Sequence, residues 1–223
     1  RGLSETFVDP AIAFLTGRGS TIHFNSPLRA IFYRDNRISA LQIGEKHLVI
    51  APDDDVILAL PRAQMARLVP ALPVPDGDAA IVNAHFKMPE PLKGAPPLLG
   101  LVNARTHWIF TRGPIISLTI SAADALGLDR LDEDVLLPLL WNEVKTALQL
   151  PEHALYVAQR LIRERRATFD QSPDSVARRP ATRGPVANLF LAGDWINTGL
   201  PATIEGAIRS GEMAAKAVRG EAR

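Results

Sequence analysis

The stretch from Asn188 to Ala215, NLFLAGDWINTGLPATIEGAIRSGEMAA, constrains the fold more than any other part of the chain. Its opening, LFLAGD, is an apolar run ending at Gly193-Asp194, the pattern of a buried strand that delivers its carboxyl end to a ligand crevice. Pro201 then fixes the backbone just ahead of a helix that begins Thr203-Ile204-Glu205-Gly206. Free N–H groups and the positive end of the dipole make such a helix start a site for an anion or a carbonyl oxygen. The helix spends Gly206 and Gly211 where each glycine costs about 1 kcal/mol relative to alanine. Ala207, Ser210, Ala214 and Ala215 are small as well, so the helix is expected to lie thin against another backbone or a flat ring.

Upstream, residues 5–16 have helical spacing through Phe7, Ile12 and Leu15, with Gly17 as a stop. Residues 20–61 read as short alternating strands broken at Asn25-Ser26-Pro27, Asp35-Asn36 and Gly44-Glu45, followed by an apolar strand from Val56 ended by Pro61. A short helix over 62–69 and the linker PALPVPDGD at 70–78 come next. Strands at hairpin spacing follow: AAIVNAHFKM, LLGLV, HWIFTR, IISLTIS and, later, LYVAQRLIRERRATF. Between the last two lies a helix over roughly 132–149, with Leu136, Leu139, Leu140, Val144 and Leu148 on one stripe and Pro138 in its first turn or at a kink. This succession predicts an α+β chain: an antiparallel or mixed sheet with helical cover, joined to part of an α/β unit.

Composition narrows the function classes. Hydrophobic residues at 47% and charged residues at 22% are ordinary for a globular protein. A net charge of +1 supplies no field to steer nucleic acid. The chain has no cysteine, which excludes disulfides, thiolate metal sites and a cysteinyl flavin link and fits a reducing, cytoplasmic setting. No run reaches the roughly 18 apolar residues of a spanning helix, so the expectation is a soluble protein or one peripheral to the inner membrane face. The chain begins at Arg1 and its methionines are Met65, Met88 and Met213; it reads as a piece of something longer.

The wording NLFLAGDW…TGLPATIEGAIRSGEMAA resembles the C-terminal flavin signature of the amine oxidase/phytoene desaturase superfamily of FAD enzymes. It is most similar to the squalene-associated FAD-dependent desaturases, the hydroxysqualene dehydroxylases. RATFDQSPDSVARRPATRGPVANLFLAGDW, GLSETFVDPAIAFL…RG and DDVILALP share the resemblance, which spans the whole chain and corresponds to that family's C-terminal half. It implies three regions: 1–75 as part of an FAD-binding region, 76–167 as a substrate-binding domain, and 168–223 as the C-terminal FAD-binding strand and helix. It also implies that Asp194 reaches the ribityl or pyrophosphate region of FAD and that the Gly193 backbone admits the cofactor. Leu28 would meet adenine, and Trp195, Pro201 and its neighbours would lie beside the isoalloxazine ring. The helix start, with Thr203, Ile204, Gly206 and Ala207, would aim N–H groups at the flavin edge that gains negative charge on reduction.

Thr203 stands where amine oxidases of the superfamily carry a tyrosine of an aromatic cage, which turns the expectation from amines toward isoprenoids. The implied activity is reductive dehydroxylation of hydroxysqualene to squalene, with a carotenoid-type desaturase as the alternative and a cofactor-free lipid-binding or interaction domain as a reading of another class. No GxGxxG follows a strand in this chain, and GRGST at 17–21 follows a helix, so the flavin site is expected to be incomplete. Trp108 and Phe110 are candidates to line an apolar substrate pocket.

Other features carry less. Asp53-Asp54-Asp55 reads as a charged hairpin, and His23, His47, His85, His107 and His153 lack paired ligand spacing. The run RLIRERR lacks the interleaved aromatics of a single-strand binder. Arg165, Arg166, Arg178 and Arg179 are alternatives for holding FAD phosphates or meeting an anionic membrane. No catalytic side chain stands out, and the chemistry is expected to belong to the flavin.

Overall fold

Turn chemistry sets the first sheet. A computed structural model of the chain describes residues 2–221. Strand β1 (Leu28–Arg34) pairs antiparallel with β2 (Arg37–Ile43), which pairs with β3 (Lys46–Val49). Asp35 and Asn36, at φ 50° and 58°, form the two-residue connection whose left-handed residues match the twist of a hairpin. Before this meander, one π-helical turn (Ser4–Val8) runs into α1 (Asp9–Gly17), with no buried residue in either.

β4 (Val56–Leu58) pairs parallel with β10 (Leu189–Leu191), although well over half the chain separates them. This is the α/β part expected from the apolar runs. All three residues of β10 are buried, as a strand covered on both faces requires. Between β4 and the second sheet lie α2 (Arg62–Leu68) and the segment 70–78. The sequence reads that segment as a linker, yet Arg62 donates to the carbonyls of Pro75 at 2.8 Å and Gly77 at 2.6 Å, and Leu72 is buried. It is a docked connector.

The second sheet has the order β6-β7-β8-β5-β9. Its strands are β5 (Ala79–Lys87), β6 (Leu98–Gly100), β7 (Trp108–Arg112), β8 (Ile115–Ser121) and β9 (Ala158–Thr168), all antiparallel. Strict alternation gives it two faces. The inner face, with Val82, Ala84, Phe86, Ile109, Ile116, Leu118 and Ile120, packs on α3 (Glu133–Ala147). Phe86, Trp141 and Tyr156 meet there with ring centroids 4.9–5.1 Å apart. The buried stripe of α3 is Leu136, Leu137, Leu140, Trp141 and Val144, with Leu148 packed partly buried against the same core; Leu137 and Trp141 are additions to the stripe the sequence predicts, and Leu139 is only partly buried. Pro138 sits in the second turn of α3, past the first turn, which is one of its two expected places.

Beyond the short α4 (Pro173–Val176), α5 (Ile204–Val218) crosses β10. Gly206, Ser210, Ala214 and Ala217 are its buried residues, and Ala214 and Ala217 pack on Phe190 and Ala192. The helix is thin because a strand lies under it. Gly211 faces open space, with nothing within 4 Å of where a Cβ would stand, and nothing in the structure explains its being glycine. Among the described residues no helix is long and apolar enough to cross a membrane.

Asn188 ties the parts together. Its Oδ1 accepts the Ile38 N–H at 2.8 Å, its amide donates to the Ile38 carbonyl at 3.1 Å and to the Asp54 carbonyl at 3.2 Å, and its own carbonyl accepts the Val56 N–H at 2.8 Å. The side chain is wholly buried, so each group it releases would lose its partner out of reach of water. Asn188→Leu is expected to cost about 2–3 kcal/mol, measured as a lower urea midpoint with an unchanged slope.

Candidate functional site

A cleft of about 560 Å³ opens where the carboxyl ends of β4 and β10 meet the last residues of β9. Its walls are Ala59–Gln64, Glu164, Arg166–Phe169, Gly193, Asp194, Trp195 and Ala207, with Asp78 at the side. A crevice outside the carboxyl ends of parallel strands is the place where open α/β sheets take ligands, and this volume falls within the usual range for small-molecule sites.

Each wall has a local cause. Gly193 has φ 139°, and a Cβ there would stand 2.7 Å from Trp195 Nε1. The glycine thus serves the close approach of the indole, a different reason from admitting a cofactor. Its N–H donates to Ser210 Oγ at 2.7 Å, and that hydroxyl donates in turn to the Ala207 carbonyl at 2.6 Å. Trp195 is nearly fully buried, donates to the Leu60 carbonyl at 2.9 Å, and reaches the cleft only as part of its wall. Gly206 is required by Pro201, whose carbonyl oxygen would lie 2.7 Å from an added Cβ.

The helix start is capped. Thr203 Oγ1 accepts the Gly206 N–H at 3.1 Å, and the Thr203 carbonyl accepts the Ala207 N–H at 2.9 Å. The N–H groups of Ile204 and Glu205 have no partner among the described residues. Gln171 Oε1 holds the Ala202 N–H at 3.0 Å, fixing the approach to the helix.

Arg179, one of the four arginines the sequence offers for FAD phosphates or an anionic membrane, is turned into the protein. It is buried, and it donates to the carbonyls of Leu200 at 2.6 Å, Asp194 at 3.1 Å and Ile196, with the Phe169 ring 5.4 Å from its guanidinium. Its Nη1 and Nη2 groups are engaged in shaping the 194–200 loop, and its Nε is buried without a hydrogen-bond partner. Arg178 pairs with Asp76, and Arg166 lies 3.7 Å from Asp78. Burial lowers the Arg179 pKa, while Asp194 opposes that shift. Burial pushes the half-buried Asp194 carboxyl up, against hydrogen bonds from its own N–H and that of Trp195 and the charge of Arg179. Ser210 and Asn188 also escaped sequence reading; the only signal for either was a polar residue beside an apolar or small-residue run.

Gly193, Asp194, Trp195 and Ala207 therefore share the cleft, with Pro201, Thr203, Ile204 and Gly206 at the loop and helix start that flank it. Leu28 lies outside the cleft lining, at the first position of β1 opposite Ile43. Trp108 and Phe110 stand exposed on the face of the second sheet turned away from α3. The cross-strand rows of that face include Leu98, Phe110, Ser117, His85 and Arg160 in one, Gly100, Trp108, Thr119, Asn83 and Ile162 in the next, and Arg112, Ile115, Lys87 and Ala158 at one end. Toward the opposite end the same face pairs Ile81 with Glu164, a residue of the cleft wall. Glu164 thus belongs both to the cleft wall and to the open face. Among the described residues no cluster of three or more His, Asp or Glu side chains could hold a metal ion.

Gly193→Ala is expected to destabilise the protein by about 2 kcal/mol or more through backbone strain and overpacking on Trp195, read from its denaturation midpoint and a red-shifted tryptophan emission. Asp194 gives a pH prediction. A carboxyl whose folded pKa is raised binds more protons in the folded state, so stability falls as pH rises from its unfolded value of 3.8 through the folded one. Asp194→Asn should therefore gain stability relative to the parent across that window and hold the gain at neutral pH, as thermal melts at a series of pH values would show.

Comparison with known proteins agrees with this architecture. The family model for flavin containing amine oxidoreductase matches residues 3–219. A hydroxysqualene dehydroxylase of Sinorhizobium fredii is 42% identical over 218 residues, covering 96% of this chain and 50% of the relative. One from Rhodopseudomonas palustris is 42% identical over 221 residues, covering 97% and 51%. A 15-cis-phytoene desaturase of Synechococcus elongatus is more distant, at 24% identity with 96% and 51% covered. Among solved structures, a double mutant of putrescine oxidase superposes with a TM-score of 0.70 at 16% identity, covering 96% of this chain and 53% of the other. The chain spans about half the length of the curated relatives it matches.

Proposed function

This chain belongs to the flavin containing amine oxidoreductase family, and from that premise we propose that it is the substrate-face and C-terminal flavin portion of an FAD-dependent hydroxysqualene dehydroxylase. The observation that carries the reading is that Glu164 joins the wall of the β4/β10 cleft to an open sheet face bearing exposed Trp108 and Phe110. A cofactor site beside a sheet face that exposes Leu98, Trp108, Phe110 and Ile162 suits a long hydrocarbon substrate.

The cleft residues fit part of an FAD molecule. The partnerless N–H groups of Ile204 and Glu205 are donors for an electron-rich edge, and the Asp194 carboxyl is an acceptor for hydroxyl groups. Asp194, Ile204 and Glu205 would hold the cofactor, while Arg179 and Ser210 keep those groups in place. When bound and reduced, FAD supplies a hydride to carbon.

Dehydroxylation breaks the C–O bond, sends the oxygen off as water after it takes up a proton, and forms a C–H bond in its place. The chain's contribution is to hold the isoprenoid on the open face and keep water from the electron-deficient carbon. Thr203 supports an isoprenoid over an amine substrate. Its side chain is spent on capping α5, and it offers no aromatic surface to a cationic amine.

The test is incubation of the FAD-loaded protein with hydroxysqualene and a reductant. Squalene is the expected product. No squalene, together with desaturation of phytoene under oxidising conditions, would replace this reading with a carotenoid-type desaturase. A preparation that stays colourless and that FAD does not saturate would instead favour a cofactor-free lipid-binding role.

A further inference from the structure

We propose that Asn83, His85, Ser117 and Thr119 form a hydroxyl-reading island on the open face of the second sheet, which makes the site select a hydroxylated isoprenoid over its hydrocarbon counterpart. The inference rests on the isoprenoid reading above and deepens it by naming what distinguishes the substrate.

Four polar side chains occupy adjacent positions on the two central strands: Asn83 and His85 on β5, and Thr119 and Ser117 opposite them on β8. Thr119 Oγ1 donates to Asn83 Oδ1 at 2.8 Å, and His85 Nδ1 lies 2.8 Å from Ser117 Oγ. All four are partly buried. The flanking strands present Leu98, Trp108 and Phe110 on one side and Ile162 beside the exposed Arg160 on the other, the four apolar residues each between 41% and 50% exposed. Trp108 lies across Gly100, where a Cβ would come within 3.1 Å of its ring.

A face meant only for water would not gather four large apolar side chains around its centre, and a face meant only for hydrocarbon would not place two hydrogen-bonded polar pairs there. The pairs leave specific valences unused. Neither the amide N–H groups of Asn83 nor Nε2 of His85 has a partner among the described residues. A hydroxyl is one donor and two acceptors, so it can accept from Asn83 and engage the imidazole at the same time. Burial, and then the charge of Arg160, lowers the His85 pKa, so the ring is neutral at neutral pH and needs no counter-ion in an apolar setting.

The island's energetic effect is asymmetric. A hydrocarbon laid over it strips water from polar groups and returns no hydrogen bond, whereas a hydroxylated chain restores one or two. The island therefore favours the alcohol and also weakens retention of the deoxygenated chain.

The test uses the FAD-loaded protein and two probes, hydroxysqualene and squalene, with affinity read from quenching of tryptophan emission. Two paired variants replace both partners of a hydrogen bond together, Asn83→Leu with Thr119→Val and His85→Phe with Ser117→Ala, so that no orphaned group remains. Each pair is expected to lower the preference for hydroxysqualene over squalene by about 10-fold or more, with squalene affinity unchanged or raised and flavin content unchanged. Affinities for both probes falling together, or an unaltered preference in both folded variants, would overturn the proposal. If one pair fails to fold, the other decides. A parent protein that prefers hydroxysqualene yet yields no squalene would sink the dehydroxylase reading and leave the island standing. Turnover to squalene with unchanged discrimination in the variants would do the reverse.

Discussion

The carboxamide of Asn188 is the point on which the arrangement depends. It presents an acceptor and a donor to Ile38 as a neighbouring strand would, and with its remaining amide hydrogen and its main chain it fixes Asp54 and Val56. Ile38 in the meander and Asp54 ahead of β4 lie 150 and 134 positions from Asn188, and one buried side chain joins them. Bringing such segments together costs loop entropy that only non-local contacts return. The cleft at the ends of β4 and β10 exists because that register is held.

From there the site is built by a second layer of ties. Arg179 gathers the carbonyls of the 194–200 loop, and Ser210 pins Gly193 to α5. Neither tie offers a free group to a ligand. Their effect is to hold the groups that do, the Asp194 carboxyl and the N–H groups at the start of α5, in fixed relation to one another. Burying the Arg179 guanidinium is costly unless it is well partnered; three carbonyls and an aromatic face provide most of that compensation, although its Nε has no hydrogen-bond partner.

Much of the fold was legible because its signals are local. The hairpin at Asp35-Asn36, the alternation of Ala79–Lys87 and the apolar run of Leu189–Leu191 each follow from period and turn chemistry. The candidate site was legible through one motif, which brought Gly193, Asp194 and Ala207 to a common cleft. The reasons for its glycines were not legible. Gly193 and Gly206 answer to Trp195 and to the Pro201 carbonyl, contacts set by how the loop closes. The inward turn of Arg179 was not legible either, because burial of an arginine depends on acceptors that only the folded loop supplies. The polar island was invisible for the same reason: Asn83 and Thr119 are 36 positions apart, and only strand register makes them neighbours.

The parallel pair is narrow. β4 has β10 on one side and no strand on its other edge among the described residues, and Ile57 stands exposed there. An uncovered edge offers a row of backbone donors and acceptors to any extended segment that can reach it. In this fold the sheet's capacity to grow therefore lies at Val56–Leu58, beside the cleft, where an added strand would lengthen its floor.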